Sequence, residues 1–131
     1  MGAAGTVAMR TEAFYALPYP PSANKYWYHT KRGEVLTEKA RAFRHDVWAI
    51  VNEAGAAKAK GRLEVSITLT MPDNRKRDID NVLKALLDAL QHAGAYADDN
   101  QIDLLSVQRD RVESPGAALV FIRPLASIDG D

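Results

Sequence analysis

The chain has 131 residues, of which 47% are hydrophobic and 26% charged, and these values predict one globular domain with a single core. No run reaches the ~18 consecutive apolar residues of a membrane-spanning helix, and the absence of cysteine excludes disulfides and zinc sites built on thiolates. Equal numbers of basic and acidic side chains, 17 of each, argue against a protein that coats DNA without specificity.

The beginning of the chain predicts two short strands separated by a rigid segment. Residues 13–17 have the composition of a strand. The prolines in residues 18–30 forbid an α-helix there and mark an extended turn. Residues 31–33 predict a turn, and a brief strand is expected at 34–36. We expect the aromatic residues of this region to pack in the core or in an interface, with stacking on an unpaired base as the alternative. They are Tyr26, Trp27 and Tyr28.

A helix is predicted to follow, with Thr37 as its N-terminal cap and an end near Gly55. Its apolar side chains recur at helical spacing and form one stripe. These residues are Phe43, Val47, Ile50 and Val51. The Ala-, Lys- and Gly-rich stretch at 54–61 is interpreted as a linker.

The middle of the chain contains the clearest strand and the clearest helix. Residues 62–71 alternate between apolar and polar side chains, which is typical of a strand with one buried face. Pro72 ends this strand, and a polar loop follows. Residues 79–92 place six apolar side chains on a broad helical face, and Gly94 is the expected helix stop.

The last part of the chain predicts two strands, 102–112 and 117–123, joined around residues 114–116 as an antiparallel hairpin. The order of elements predicts an α+β fold, in which a single domain contains one mixed β-sheet with two α-helices packed on one face. A flexible leader and a flexible tail are expected on either side of this domain. The leader, the domain and the tail are placed at 1–12, 13–124 and 125–131.

Acidic residues gather at the start of the second helix and before the strand that follows it. Asp78 and Asp80 lie at the start of the predicted helix, where a negative charge interacts favourably with the free backbone N–H groups and the positive end of the helix dipole. These carboxylates could therefore simply stabilise the helix. Lys84, four residues after Asp80, would by itself form only a weak surface ion pair. The pair Asp98-Asp99 would by itself be a polar turn. If these carboxylates converge, they repel one another unless a cation such as Mg²⁺, which prefers oxygen ligands, joins them.

Three segments together resemble the RusA family of Holliday junction resolvases. They are PPSANKYW at 20–27, RDIDNVLKALLDAL at 77–90 and YADDNQI at 96–102, and the resemblance extends over residues 14–123. It implies a RusA-like fold, a homodimer, and Mg²⁺-dependent cleavage of four-way DNA junctions in recombination and repair. It also implies that Mn²⁺ can substitute for Mg²⁺, and that the protein acts in the cytoplasm and is encoded by a bacterium or a phage.

The resemblance implies catalytic roles for four residues. Asp78, Asp80 and Asp99 would bind Mg²⁺, and water bound to the metal would attack the scissile phosphate. Lys84 would stabilise the developing negative charge or orient the water. Asp98 is given a lesser role as a neighbour of the third aspartate.

These residues meet in one chain only if the chain returns to the start of the helix. A helix over 79–92 is about 20 Å long, and residues 93–99 can just cover that distance when extended. We therefore expect the strand after Asp99 to run antiparallel to strand 62–71. With a parallel crossover instead, Asp99 would lie at the other end of the helix and would have to come from a partner subunit.

Several basic residues are candidates for contacts with DNA phosphates, although each one taken singly is more typical of a solvated surface. They are Arg75, Lys76, Arg77, Lys25, Lys31 and Arg32. Two other functions stay open, namely a nuclease selective for flaps or forks and a non-catalytic DNA-binding module. Comparing cleavage of junction, flap and duplex substrates distinguishes a flap- or fork-selective nuclease from a junction resolvase. A Mg²⁺-dependent nick in a junction that is lost on Asp78→Asn excludes a non-catalytic module.

Overall fold

The structure, a computed structural model, describes residues 12–125. Strands β1 to β6 span Ala13–Pro18, Trp27–Thr30, Gly33–Leu36, Leu63–Met71, Ile102–Val112 and Ala117–Pro124, and helices α1 and α2 span Glu38–Ala54 and Leu83–Ala93. The predicted leader and tail, apart from one residue of each, lie outside the described residues. Within residues 12–125, neither α-helix has the length and apolar character needed to cross a membrane.

Four of the strands form one mixed sheet in the order β1-β6-β4-β5. Strand β6 pairs antiparallel with both β1 and β4, whereas β5 pairs parallel with β4. Strands β2 and β3 form a separate antiparallel hairpin, which contains the predicted turn at 31–33 and extends the predicted strand at 34–36. The predicted α+β domain with one mixed sheet and two helices is confirmed.

The core lies between the sheet and the two helices. Alternate side chains of β4 are buried, as the apolar alternation predicts, and they form one cluster with the apolar faces of α1 and α2. Its members include Leu63, Val65, Ile67 and Leu69 from β4, Phe43, Val47 and Val51 from α1, and Leu86 and Leu90 from α2.

Helix α1 begins and ends where the sequence predicts. The Thr37 hydroxyl oxygen accepts a hydrogen bond of 3.1 Å from the backbone N–H of Ala40, so it satisfies one free donor of the first turn. Gly55 ends the helix with φ of 71°, a left-handed conformation that glycine adopts without a steric cost.

The second helix departs from the prediction in its first turn. Residues Ile79–Val82 form a 3₁₀ turn, and the α-helix itself begins at Leu83 and ends before Gly94. Such tighter turns are frequent at helix termini. Asp78 occupies the N-cap position with an extended backbone, yet its carboxylate makes no capping hydrogen bond. The side chain of Asp78 is therefore not needed by the helix.

The predicted hairpin of the last two strands is wrong. Strands β5 and β6 pair with opposite edges of β4, because the link between them crosses over the end of β4. The backbone N–H of Glu113 donates to the Met71 carbonyl at 2.8 Å. A Cβ added at Gly116 would lie 3.0 Å from the Thr70 carbonyl oxygen, so the crossing chain passes close against β4.

The predicted antiparallel pairing of β4 with the strand after Asp99 is also wrong. The two strands run parallel, with Leu63 beside Ile102 and Leu69 beside Arg109. Parallel neighbours require a crossover connection, and α2 provides it while covering the sheet. The start of β5 therefore lies beside the start of β4, at the far end of α2 from Asp78.

Candidate active site

Asp78 and Asp80 stand where the chain enters α2 from the end of β4. Both residues are exposed. Their backbone carbonyls accept hydrogen bonds from Asn81 and Leu83, which holds the turn, but within residues 12–125 their carboxylates accept no hydrogen bond. Two exposed carboxylates that lie two residues apart in the chain and have no partner among the described residues are available to bind a cation.

Lys84 does not form the surface ion pair with Asp80 that the spacing permits. No ion pair of the described residues includes Lys84. Its Nζ instead lies 4.9 Å from the centroid of the Trp27 ring, a distance typical of a cation–π contact. The carboxylate of Asp80 is thus left without an ion pair to the lysine that lies one helical turn after it.

A polar network fixes the segment that carries Trp27. The fully buried Tyr26 donates its hydroxyl proton to Asp88 at 2.7 Å, and Arg44 pairs with the same carboxylate oxygen at 2.8 Å. Burial, followed by the hydrogen bond to Asp88, raises the pKa of Tyr26 above its usual value. Sequence reasoning missed this network, although Asp88 belongs to the RDIDNVLKALLDAL segment, because 62 residues separate the tyrosine from its acceptor.

A cleft of about 250 Å³ opens beside Asp78. Its polar lining consists mainly of cations: Lys25, Lys39, Arg75 and Arg77, together with Ser22, Asp78 and Asn81. An adjoining hollow of about 570 Å³ adds Lys76. Four of the predicted DNA-contacting residues therefore surround one carboxylate, an arrangement that suits a phosphate bridged to a divalent cation.

Two of the predicted DNA-contacting residues lie away from the cleft, and one lysine that was not predicted lines it. Lys31 and Arg32 are exposed at the tip of the β2–β3 hairpin and do not line the cleft. Lys39, in the first turn of α1, does line it. Sequence reasoning missed Lys39, because no local pattern distinguishes it from the other exposed lysines.

Asp73 holds the two arginines of the cleft in place. It accepts a hydrogen bond of 2.9 Å from the backbone N–H of Arg75, and Arg77 Nη2 lies 2.8 Å from its Oδ2. These two contacts, in that order, lower the pKa of Asp73. The backbone carbonyl of Arg77 accepts a 2.7 Å hydrogen bond from Arg109 on β5. Together with the contact to Asp73, this bond positions the Arg77 guanidinium before any anion binds.

Asp99 lies at the opposite end of α2, so the predicted return within one chain is wrong. Its backbone N–H donates to Gln91 Oε1 at 2.9 Å, and Gln91 belongs to the last turns of the helix. The 11 residues of α2 alone span about 16 Å. Within residues 12–125, no three acidic or histidine side chains come close enough to hold a metal ion. The carboxylate of Asp98 caps the 3₁₀ turn at Asp99–Gln101, which gives it a structural role.

Comparison with known proteins identifies the family. Residues 18–123 match the family model described as endodeoxyribonuclease RusA. A crossover junction endodeoxyribonuclease of phage HK97 is 41% identical over 116 residues, which cover 87% of this chain and 96% of that protein. Proteins of the same name from Escherichia coli K12 and phage 82 are 38% and 37% identical over 90 residues, covering 66% of this chain and 72% of each protein. A match of this extent means that the chain belongs to the RusA family of endodeoxyribonucleases.

Proposed function

We propose that this chain, as a homodimer, resolves four-way DNA junctions by Mg²⁺-dependent hydrolysis of phosphodiester bonds. One observation carries the proposal: the carboxylate of Asp78, which has no hydrogen-bond partner among residues 12–125, lines a cleft together with four cations, and Asp80 follows two residues later. Relatives that cover most of the chain are named crossover junction endodeoxyribonucleases. The DNA of a bacterium or a phage as substrate would place the activity in the cytoplasm.

The residues present fit a magnesium ion. Mg²⁺ is usually held by one or two protein carboxylates, with waters and substrate phosphate oxygens in the other positions. Asp78 and Asp80 would supply the protein oxygens, and Mn²⁺ would be accepted by the same ligands. When bound, the metal would polarise the scissile phosphate and lower the pKa of a coordinated water.

The cations around the cleft bind and orient the DNA backbone. Lys25, Lys39 and Arg75 face the cleft from three different segments, so they contact one phosphodiester from several sides. Arg77, restrained by Asp73, fixes the orientation of that phosphate relative to Asp78. Lys84 supplies positive charge near the reacting phosphate, where negative charge develops during cleavage. Lys31 and Arg32 contact the backbone farther away, from the tip of the β2–β3 hairpin.

Asp99 joins the site from the partner subunit. Because β4, α2 and β5 form a parallel crossover, each chain has Asp78 and Asp80 at one end of α2 and Asp99 at the other. A second copy related by a two-fold axis supplies the missing carboxylate to each site. Two such sites then cut two strands of a junction symmetrically.

The outer edge of β5 supports this assembly. The strand is 11 residues long, lies at the end of the sheet, and leaves Leu104, Leu105 and Val112 exposed. A long edge of this kind is a template for pairing with another strand. If two β5 strands meet antiparallel, the end near Asp99 of one chain lies towards the end near Arg109 of the other. Arg109 contacts the segment just before Asp78.

Cleavage of synthetic DNA tests the proposal. We expect the wild-type chain with Mg²⁺ to cut a four-way junction at paired positions, and to cut a flap or a linear duplex of the same sequence far more slowly. Asp78→Asn should retain junction binding and lose at least about 100-fold in cleavage rate. Preference for a flap would assign the alternative nuclease specificity, and binding without any cleavage would leave only a DNA-binding module.

A further inference from the structure

We infer that Trp27 is a positioning residue for Lys84, and that its indole face holds the lysine ammonium between Asp80 and Asp88. The inference rests on the proposed function in one respect, namely that Lys84 takes part in cleavage. The contact itself is a feature of the fold, since the two residues come from β2 and α2 and are 57 positions apart in the chain.

The contact with Trp27 gives Lys84 a partner other than the carboxylates that neighbour it on α2. Lys84 is exposed, carries four rotatable bonds, and has a carboxylate one turn away on either side, at Asp80 and at Asp88. Asp88 is already occupied by Arg44 and Tyr26. A direct pair between Lys84 and Asp80 would neutralise the charge that the proposed cation needs. The face of an aromatic ring attracts an ammonium without using either carboxylate.

The ring that receives the lysine is itself held in place. Trp27 packs edge-on against Tyr26, with ring centroids 4.3 Å apart and an interplanar angle of 74°. Tyr26 is fully buried and anchored through its hydroxyl to Asp88. Trp27 also pairs with Leu36 in the β2–β3 hairpin. Anchors on two sides fix the indole, so the ammonium that rests on it has a defined position.

The neighbouring aromatic residue provides a matched control. Tyr28 follows Trp27 in the same strand, so its side chain points to the other side of the hairpin, where it is 51% exposed. Replacing Tyr28 by methionine also removes an aromatic ring from strand β2, but it leaves the contact between Trp27 and Lys84 in place.

Junction cleavage by three variants tests the role of Trp27. We expect Trp27→Met to lower kcat by about two- to fivefold, as the loss of an exposed cation–π contact implies, with KM unchanged. Trp27→Phe, which restores a ring face, should return kcat close to the wild-type value. Tyr28→Met should leave both constants unchanged. An unchanged kcat for Trp27→Met, or a raised KM alone, would overturn the inference.

An NMR measurement reads the contact without using activity. In protein labelled with ¹³C-lysine, the side-chain methylene protons nearest Nζ of Lys84, assigned with Lys84→Arg, should be shifted upfield by the indole ring. A wild-type Lys84 signal at the position of a solvated lysine would overturn the inference, and this result needs no variant to fold. A wild-type chain that cuts no branched DNA overturns the proposed function, and this inference with it. A chain that cuts junctions while Trp27→Met keeps its full kcat overturns this inference alone.

Discussion

Single aspartates of this chain differ in role because they differ in partners. Asp73, Asp88 and Asp98 each accept hydrogen bonds that fix a loop, a helix pair or a turn. Among the residues that the structure describes, nothing donates a hydrogen bond to the carboxylates of Asp78 and Asp80. An ionised group left without a partner at the surface costs little in folding and remains available to a ligand. At this scale, the candidate site is recognised by what the fold leaves unsatisfied.

Gly116 offers a prediction about backbone strain. Its φ is 86°, and an added Cβ would lie 3.0 Å from the Thr70 carbonyl oxygen and 3.1 Å from Pro72. Gly116→Ala should therefore lower the free energy of unfolding by about 2–4 kcal/mol, because backbone strain adds to a close contact with the main chain. Urea denaturation measures the loss.

Gly55→Ala is the control for that substitution. Gly55 has φ of 71°, and no atom of residues 12–125 lies within 4 Å of an added Cβ, so only the conformational part of the cost, about 1 kcal/mol, should appear. Equal losses for the two variants would mean that the passage of the chain over the end of β4 is not as close as the structure has it.

Pairs of elements are joined by contacts between residues far apart in sequence. Arg44 of α1 and Asp88 of α2 are both only about a quarter to a third exposed, and Tyr26 binds the same carboxylate from the segment before β2. The three groups tie both helices to the hairpin that carries Trp27. The position of Lys84 therefore depends on how the elements pack and not on α2 alone.

Removing the arginine of this network should destabilise the protein. Arg44→Leu leaves the Asp88 carboxylate partly buried with the tyrosine hydroxyl as its remaining donor, so we expect a loss of about 1–3 kcal/mol in the free energy of unfolding. Arg41→Leu, one turn earlier on the same helix, removes an exposed hydrogen bond to the Leu36 carbonyl and should cost less than about 0.5 kcal/mol. Thermal and urea unfolding measure both losses, and equal losses for the Arg44 and Arg41 variants would contradict a special role for Arg44.

The proposed reaction needs the whole molecule, because residues 12–125 of one chain do not bring three carboxylates together. The parallel crossover places the candidate metal ligands at both ends of α2, and the proposed symmetric dimer would bring them together. In the proposed dimer, catalysis would depend on dimerisation, and cutting in pairs would follow from the same two-fold axis.

Mixing two inactive variants tests the shared site. A chain carrying Asp78→Asn and Asp80→Asn, combined with a chain carrying Asp99→Asn, should form heterodimers with one fully intact site. After subunit exchange, about a quarter of the sites are restored, so nicking of a junction should recover to about that fraction of the wild-type rate. If Asp99 served its own chain, every site would remain defective, and the mixture would cut no faster than either variant.

Local patterns in the sequence were sufficient for most elements of the fold. Alternating apolar residues in β4, the apolar stripe of α1 with its Thr37 cap, and the glycine stop of α2 all arise within a few residues of each other. The pairing of β5 and β6 was mistaken because two strands close in sequence normally form a hairpin. Here the link crosses β4, and this depends on contacts with residues 70–72, more than 40 positions away.

By itself, the sequence determined the family and most of the elements of the fold, and it named the candidate residues for the chemistry, because motif spacing and side-chain periodicity are properties of short segments. Only the tertiary structure decided that Asp99 stands apart from Asp78 and Asp80, that Lys84 rests on Trp27, and that Lys39 enters the cleft. Each of these facts depends on strand direction or on packing between distant segments, and neither is specified by residues that are neighbours in the chain.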